Sequence, residues 1–322
     1  MPGHRRSPPG AGALSLRDRV RSWRGGLSRP RPTAFVLSGG GNLGAIQVGM
    51  LRALVDRGIR PDLVLGCSVG ALNGAAYAAD PTRAGIERLE DLWLRLAGPD
   101  VMPSASRLPS TLQLARRGEA LHDNAGLREL IERILRATRF DELKVPFQCV
   151  ATQLDPPAER WFSTGLLHEA ILASAALPAV FPIVELDGHH YLDGGIAADI
   201  PFLRAAHLGA ETIYVLQVGT LARPWQEPRR PVDVAIQSHW LSRRLRYDRD
   251  LAELDPRCEL VILPFGSPPR LRYDDFSHSA ELVERAYVAS AAHLDARAAG
   301  TPVVEAIRPL GVEPRSLPRV RP

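Results

Sequence analysis

A serine and an aspartate, each followed closely by glycine, are the residues of this sequence whose types and spacing could do chemistry. Ser68 lies at the centre of Gly66-Cys67-Ser68-Val69-Gly70, a G-x-S-x-G pattern. The apolar run Leu63 to Leu65 precedes it and an alanine-rich segment follows, which predicts a buried strand, a tight turn and a helix. In that context the serine hydroxyl projects alone from a strained turn, and the flanking glycines avoid collisions with the neighbouring strand and helix. The pattern therefore predicts a nucleophile elbow.

A glycine-rich corner earlier in the chain could bind an anion. The predicted strand Ala34 to Leu37 runs into Ser38-Gly39-Gly40-Gly41-Asn42-Leu43-Gly44, and a helix follows. Backbone N–H groups left unpaired at such a corner can hold a negative charge. The same loop spells the G-x-G-x-x-G of dinucleotide-binding folds, but the second strand ends in Gly66-Cys67-Ser68, without the acidic residue that would hold a ribose. An oxyanion hole beside the serine is the better interpretation, and nucleotide binding is the alternative.

A serine hydroxyl needs a base to take its proton, and the sequence offers two candidates. Asp193 ends a predicted strand, and Gly194-Gly195 let the backbone turn without crowding the carboxylate, although Asp-Gly-Gly alone would indicate only a surface turn. His278 is the late histidine that an α/β-hydrolase would need, but no carboxylate between Ser68 and His278 is marked as its partner. The ordinary aspartate pKa of about 3.9 makes Asp193 a weak base, so direct catalysis would depend on positioning.

Composition and charge indicate a globular chain with a basic arm. The 322 residues are 45% hydrophobic and 24% charged, enough for a sizeable core. Residues 1–32 carry a net charge of +7, whereas the whole chain carries +4. The remaining chain is therefore slightly acidic, with a net charge of 4 − 7 = −3. That balance argues against nucleic-acid binding by the body of the protein. We expect the arm to be disordered, with a short amphipathic helix at Leu14 to Trp23 as a weak membrane-surface signal.

The spacing of the cysteines and the lack of long apolar stretches indicate the cellular compartment that we expect for this protein. The three cysteines, Cys67, Cys149 and Cys258, have no C-x-x-C spacing, which argues against a disulfide framework or a zinc site. Cys67 is predicted to point away from the Ser68 turn and to pack in the core. The first 32 residues contain no signal-peptide core, and no apolar stretch is long enough to span a membrane. We therefore expect a cytoplasmic protein that could contact a membrane peripherally.

The three motifs, in this order, resemble the patatin-like phospholipase family, and the segment from Ala173 to Pro182 resembles the family's pattern as well. The resemblance covers roughly residues 33–300 as one domain. It implies a three-layer α/β/α fold with a mainly parallel central sheet. It also implies acyl-ester hydrolysis of phospholipids or other lipids through an acyl-enzyme, with no metal and no cofactor. Ser68 would be the nucleophile and Asp193 the proton acceptor. The amides around Gly40, Gly41 and Asn42 would bind the oxyanion.

The chain departs from the family pattern at three positions. Family members often carry Arg where this chain has Leu43, His where it has Gln47, and Asn where it has Asp199. Losing the loop arginine makes a preference for anionic headgroups less secure and leaves neutral esters open. An acyltransferase with the same acyl-enzyme and a non-catalytic lipid-binding protein are the further alternatives. Residues 98–121 are either a surface connection or an apolar flap over a lipid site, and residues 301–322 are predicted to be a loose tail.

Overall fold

A computed structural model describes residues 31–101, 120–219, 227, 231–266, 271 and 274–301. Several sequence predictions fall outside the described residues. They are the disordered arm with its short helix at Leu14 to Trp23, most of the flap segment (residues 102–119) and nearly all of the C-terminal tail (residues 302–322).

Strands and helices alternate along most of the chain. The strands are β1 (Thr33–Leu37), β2 (Leu63–Cys67), β3 (Phe147–Leu154), β4 (Pro157–Phe162), β5 (Val184–Leu186), β6 (His189–Asp193), β7 (Thr212–Leu216) and β8 (Glu259–Ile262). The α-helices are α1 (Gly44–Asp56), α2 (Val69–Ala79), α3 (Arg83–Arg95), α4 (Gly98–Val101), α5 (Ala125–Ile134), α6 (Leu167–Ser174), α7 (Gly195–Ala198), α8 (Phe202–His207), α9 (Pro231–Glu253) and α10 (Ser279–Ala298). Short 3₁₀ turns form at Gly41–Leu43 and Phe140–Glu142.

The eight strands form one sheet whose order is β5-β6-β3-β2-β1-β7-β8, with β4 paired to β3. The pairs β1–β2, β1–β7, β2–β3 and β7–β8 are parallel, whereas β4 and β6 are antiparallel to β3 and β5 is antiparallel to β6. The sheet is therefore mainly parallel. Because parallel strands end at a common edge, the loops after β1, β2 and β7 meet there.

The sheet is buried on both faces, which makes the fold a three-layer α/β/α architecture. Phe35 and Leu37 of β1 pack with α1, α2, α3 and α10, while Ala34 and Val36 pack with α8 and with Tyr247 of α9. Burial on both faces explains why the parallel strands read as continuous apolar runs rather than as alternating ones. The fold class predicted from the sequence is confirmed. Within the described ranges no helix is both long and apolar enough to cross a membrane.

The strand β3 brings the ends of two other strands together. Its first half pairs with β2, so that Cys67 lies opposite Val150, and its second half pairs with β6, so that Asp193 lies opposite Ala151. β4 occupies the other edge of β3. β2 and β6 therefore approach each other end to end along one edge of β3. The residue that follows β2 is Ser68, and the residue that ends β6 is Asp193.

Several predicted element boundaries were wrong by a few residues, and some elements were not predicted. β4 was missed because four of its six residues are exposed and it lacks an apolar pattern. α5 starts at Ala125, whose amide donates to the Asp123 carboxylate at 3.1 Å. The strand predicted at Ala34 to Leu37 starts at Thr33, and the strand predicted at Leu63 to Leu65 extends to Cys67. The short helices α7 and α8 were missed too, since segments of four and six residues are too short to show a helical period.

Candidate active site

Ser68 occupies the turn between β2 and α2 in a conformation that is unusual for serine. Its backbone angles are φ 53° and ψ −123°. A positive φ in a residue other than glycine is strained and persists only where the surroundings hold it. One such contact is the hydrogen bond from the Ser68 amide to the hydroxyl of Ser174, at 2.9 Å. The predicted sharp turn is therefore present at this serine.

The glycines on either side of Ser68 leave no room for a side chain. A Cβ on Gly66 would lie 2.4 Å from the carbonyl oxygen of Gly70, and a Cβ on Gly70 would lie 2.3 Å from the carbonyl oxygen of Leu37. The absence of a side chain at Gly66 thus leaves room for the helix that follows, and its absence at Gly70 leaves room for the neighbouring strand β1. This is the steric reason that the sequence suggested for the G-x-S-x-G spacing.

Cys67, although it precedes Ser68, faces a different environment. Its side chain is fully buried and packs with Val150 and Ala198. Burial, with a smaller contribution from the charge of Asp193, raises the pKa of the Cys67 thiol well above its usual value. The thiol is therefore protonated at neutral pH and is not a competing nucleophile. Its predicted packing role is confirmed.

Three hydrogen bonds hold the aspartate at the end of β6 in place. The Asp193 amide donates to the Ala176 carbonyl at 2.9 Å, and the Thr152 hydroxyl donates to the Asp193 carbonyl at 2.8 Å. The Gly195 amide donates to the Asp193 carboxylate oxygen Oδ1 at 2.8 Å. The residue is 1% exposed. The carboxylate therefore has one fixed orientation.

Burial changes the acidity of this carboxyl group. Burial raises the pKa of Asp193 to about 6, against the opposing effects of the Ser68 hydroxyl, the Gly195 amide and the positive charge of Arg243. The Ser68 hydroxyl is thus one of the groups that favour the ionised form of this carboxyl. The second carboxylate oxygen, Oδ2, nevertheless has no donor in hydrogen-bonding geometry among the described residues. It is an oxygen that can accept a proton.

The glycine-rich loop after β1 lies against Ser68. A Cβ on Gly39 would lie 3.3 Å from the Ser68 Cβ. The loop closes into a 3₁₀ turn through a hydrogen bond from the Leu43 amide to the Gly40 carbonyl at 3.2 Å. No carbonyl of the described residues accepts from the amides of Gly40 and Gly41. Two backbone donors thus follow Gly39, the residue of the loop that lies against Ser68.

A chain of buried side-chain hydrogen bonds connects this loop to the neighbouring helices. Gln47 donates to the Ser38 carbonyl at 2.8 Å, Asn73 donates to the Gln47 carbonyl oxygen at 2.9 Å, and the Trp93 indole donates to Asn73 at 2.9 Å. The side-chain amide of Asn42, within the loop, donates to the Asp275 carbonyl at 2.6 Å. These contacts couple the loop to α1, α2, α3 and the segment before α10.

The sequence did not predict that three further polar residues would contact the site. Ser174 accepts the Ser68 amide with its hydroxyl and the Gly194 amide with its carbonyl, at 2.9 and 3.1 Å. Arg243, on α9, forms an ion pair of 2.6 Å with Asp199, and each side chain is 2% exposed. No motif surrounds Arg243, and Asp199 was noted only as a departure from the family pattern.

His278, the alternative base, contacts a carboxylate of the helix that it precedes. It precedes α10 as its N-cap residue, and its ring nitrogen Nδ1 lies 3.3 Å from the Glu281 carboxylate on a partly exposed surface. The side chain that strand register brings to Ser68 is Asp193. Geometry therefore favours the aspartate over the histidine.

These observations first define a class: a three-layer α/β/α protein with a serine, a buried carboxylate and a glycine loop at the carboxyl edge of its sheet. The family model for "Patatin-like phospholipase" matches residues 35–206. The chain therefore belongs to the patatin-like phospholipase family, a family of lipid hydrolases.

Similar proteins cover different shares of the chain. "Patatin-like phospholipase domain-containing protein 7" from Rattus norvegicus is 29% identical over 189 residues, which is 58% of this chain but 14% of the rat protein. "Uncharacterized NTE family protein Mb1092c" from Mycobacterium bovis is 30% identical over 241 residues, 73% of this chain and 61% of that protein. The crystal structure of VipD from Legionella pneumophila superposes with a TM-score of 0.46 at 15% identity, covering 83% of this chain and 67% of VipD.

Proposed function

We propose that the protein is a serine lipid acyl hydrolase in which Ser68 is the nucleophile and Asp193 is the general base. The substrates are acyl esters of phospholipids or related lipids. The observation that carries the proposal is the end-to-end approach of β2 and β6 on β3, which juxtaposes Ser68 with Asp193. The available carboxylate oxygen, Asp193 Oδ2, supports the same assignment. Contact of the chain with a lipid surface stays a prediction that depends on the basic arm.

The first half of the reaction forms an acyl-enzyme. The Ser68 Oγ attacks the ester carbonyl carbon while its proton passes to Asp193 Oδ2, which gives a tetrahedral intermediate. When that intermediate collapses, the bond between the carbonyl carbon and the ester oxygen breaks. The departing alcohol takes the proton from Asp193, and the acyl group stays on Ser68.

The negative oxygen of the intermediate requires donors that are already in place. The amides of Gly40 and Gly41, with that of Asn42 beside them, are proposed to supply these donors. They belong to a loop held by buried hydrogen bonds, so little reorganisation is needed when charge develops.

The second half of the reaction releases the acid. Water attacks the acyl carbon and gives its proton to Asp193, and the Ser68 oxygen then leaves and takes that proton back. An alcohol in place of water would give acyl transfer instead of hydrolysis. Analysis of the products separates the two reactions, because hydrolysis alone yields free fatty acid.

The raised pKa of Asp193 predicts a pH dependence for the proposed reaction. The base acts only when ionised, and its pKa is raised to about 6, so kcat/KM on a neutral soluble ester should be level above pH 7. It should fall about tenfold per pH unit well below pH 6. Arg243 is the charged group that faces Asp193, with Asp199 paired to it and the Cys67 thiol neutral. A profile level down to pH 4.5, in protein that regains full rate when returned to pH 8, would contradict this assignment.

The proposed function is tested most directly by covalent labelling. An alkyl fluorophosphonate should phosphonylate folded wild-type protein, forming a bond between phosphorus and the Ser68 oxygen and expelling fluoride. Peptide mass spectrometry should locate the adduct on Ser68. Incubation with phosphatidylcholine vesicles or a neutral ester should release free fatty acid at a rate that the label abolishes. Folded protein that neither takes the label nor releases fatty acid would refute the proposal, and heat-denatured protein is the control for non-specific labelling.

A further inference from the structure

A buried ion pair contacts Gly39, the first glycine of the loop. Nη2 of Arg243 is 2.6 Å from Oδ2 of Asp199 and donates a second hydrogen bond, of 3.3 Å, to the Gly39 carbonyl. The Gly39 amide in turn donates to the Asp199 carbonyl at 3.4 Å. A Cβ on Gly39 would lie 2.6 Å from Asp199 Oδ1. The pair therefore contacts the same residue that lies against Ser68.

The geometry of the peptide bond connects this contact to the proposed oxyanion donors. The Gly39 carbonyl and the Gly40 amide belong to one planar, trans peptide unit, so they point in opposite directions. Whatever holds the carbonyl also sets the direction of the amide. Arg243 and the Ser38 hydroxyl, which donates at 3.0 Å, both hold this carbonyl. The Gly40 amide then points away from them.

A peptide between two glycines has no side chain of its own to restrict its rotation. Glycine populates positive and negative φ with similar ease, so the Gly39–Gly40 unit is intrinsically free to rotate. None of residues 38–44 carries a charge. A cation that anchors this loop must therefore come from another part of the chain, and Arg243 on α9 is placed to supply it.

Stability is a weak reason for such a pair. Two ions removed from water lose hydration, and apolar residues of similar size often stabilise a core at least as well. An ion pair with both side chains 2% exposed, beside a candidate active site, therefore calls for another role.

We propose that Arg243, held by Asp199, is a positioning residue: it fixes the Gly39–Gly40 peptide so that the Gly40 amide faces the developing oxyanion. This inference rests on the proposed function. The second consequence concerns charge. Arg243 lowers the pKa of Asp193, so removing the guanidinium should move the acid limb of the pH profile to higher pH. Asp199 is paired with Arg243, and the Cys67 thiol, which the charge of Asp193 affects, is neutral.

The experiment compares Arg243→Gln with Arg246→Gln. Arg246 lies on the same helix and forms a 2.6 Å ion pair with the buried Asp250, but it contacts Glu159 and Asp250 rather than the loop. For Arg243→Gln we expect kcat on a soluble ester to fall about 10² to 10³-fold, as when an oxyanion donor is lost. We expect KM to change less than about threefold and the acid limb to move upward. Arg246→Gln should lower the melting temperature and leave kcat and the acid limb unchanged.

A conservative variant covers the case in which Arg243→Gln does not fold. Arg243→Lys keeps the charge but loses the planar fork that reaches Asp199 and Gly39 together. It should lower kcat about tenfold and leave the acid limb in place. A folded Arg243→Lys with wild-type kcat would overturn the inference.

Two further outcomes are decisive. If Arg243→Gln only lowers the melting temperature, while kcat and the acid limb match the wild type, the ion pair is structural and the inference fails while the proposed function stands. If wild-type protein shows no Ser68-dependent turnover, the proposed function fails and the inference falls with it. Ser68→Ala, measured in the same series, distinguishes these outcomes.

Discussion

Replacing Ser68 with alanine is expected to reduce ester turnover by a factor of about 10⁴ to 10⁶, the range seen when a serine nucleophile is removed from a hydrolase. Without the hydroxyl no acyl-enzyme can form, and Asp193 can at best activate water at the wrong position. Positioning by the loop amides would leave some rate above that of the uncatalysed reaction. Fluorophosphonate labelling should vanish completely, because the reacting atom is gone.

The loss must be separated from unfolding. Alanine accepts the Ser68 backbone conformation no worse than serine does, and the 2.9 Å hydrogen bond to Ser174 comes from the backbone amide, so the variant should keep its melting temperature. Ser290→Ala is the matched control. It removes a buried hydroxyl, which donates to the Pro264 carbonyl at 2.8 Å, far from the glycine loop in the chain. Turnover above about a tenth of wild type in folded Ser68→Ala would assign the nucleophile to another residue.

The parts of the site that the sequence predicted are those encoded locally. The Ser68 turn depends on Gly66 and Gly70, and both glycines are required by close approaches of backbone within a strand–turn–helix unit. Asp193 was recognisable because it ends a strand and precedes two glycines. Buried parallel strands were visible as apolar runs. Each of these signals lies within a few residues of the feature it predicts.

The parts that the sequence did not predict depend on contacts between distant elements. Arg243 reaches the Gly39 carbonyl from α9, and no residue pattern on that helix distinguishes it from the surface arginines beside it. Ser174 and Asn73 became relevant only once strand order and helix packing were known. The end-to-end meeting of β2 and β6 depends on the antiparallel pairing of β6 with β3, a contact between segments that are distant in the chain.

Asp193→Asn is the second large effect that we expect, a fall in kcat of about 10³ to 10⁴-fold. Asparagine has nearly the same shape and can still accept from the Gly195 amide, but it cannot take the proton of Ser68. A comparable loss follows when the carboxylate of a serine protease triad is replaced by its amide. Fluorophosphonate labelling should slow to a similar degree but stay on Ser68. Asp187→Asn, an exposed turn residue of the same β5–β6 hairpin, is the matched control and should keep the wild-type rate.

The same substitution is expected to stabilise the fold at alkaline pH. The folded-state pKa of Asp193 is raised to about 6, above the ordinary aspartate pKa of about 3.9, so the folded protein holds this proton more tightly than the unfolded chain does. The associated stability is fully present below the unfolded pKa and is lost as pH rises through about 6. At pH 8 the buried carboxylate therefore lowers the unfolding free energy by an amount on the order of 3 kcal/mol. A neutral asparagine should recover part of it as a higher melting temperature at pH 8, with little gain at pH 4.

Opposite changes in activity and stability would separate a catalytic carboxylate from a structural one. A structural aspartate, if removed, would lower both the melting temperature and the activity. A buried base kept for catalysis, if removed, lowers the activity alone. Denaturant unfolding of wild type and Asp193→Asn at pH 8 and pH 4, alongside the turnover measurements, gives both quantities for the same samples. An Asp193→Asn protein that is less stable than the wild type at pH 8 would contradict the raised pKa, and one that keeps its turnover would contradict the assignment of Asp193 as the base.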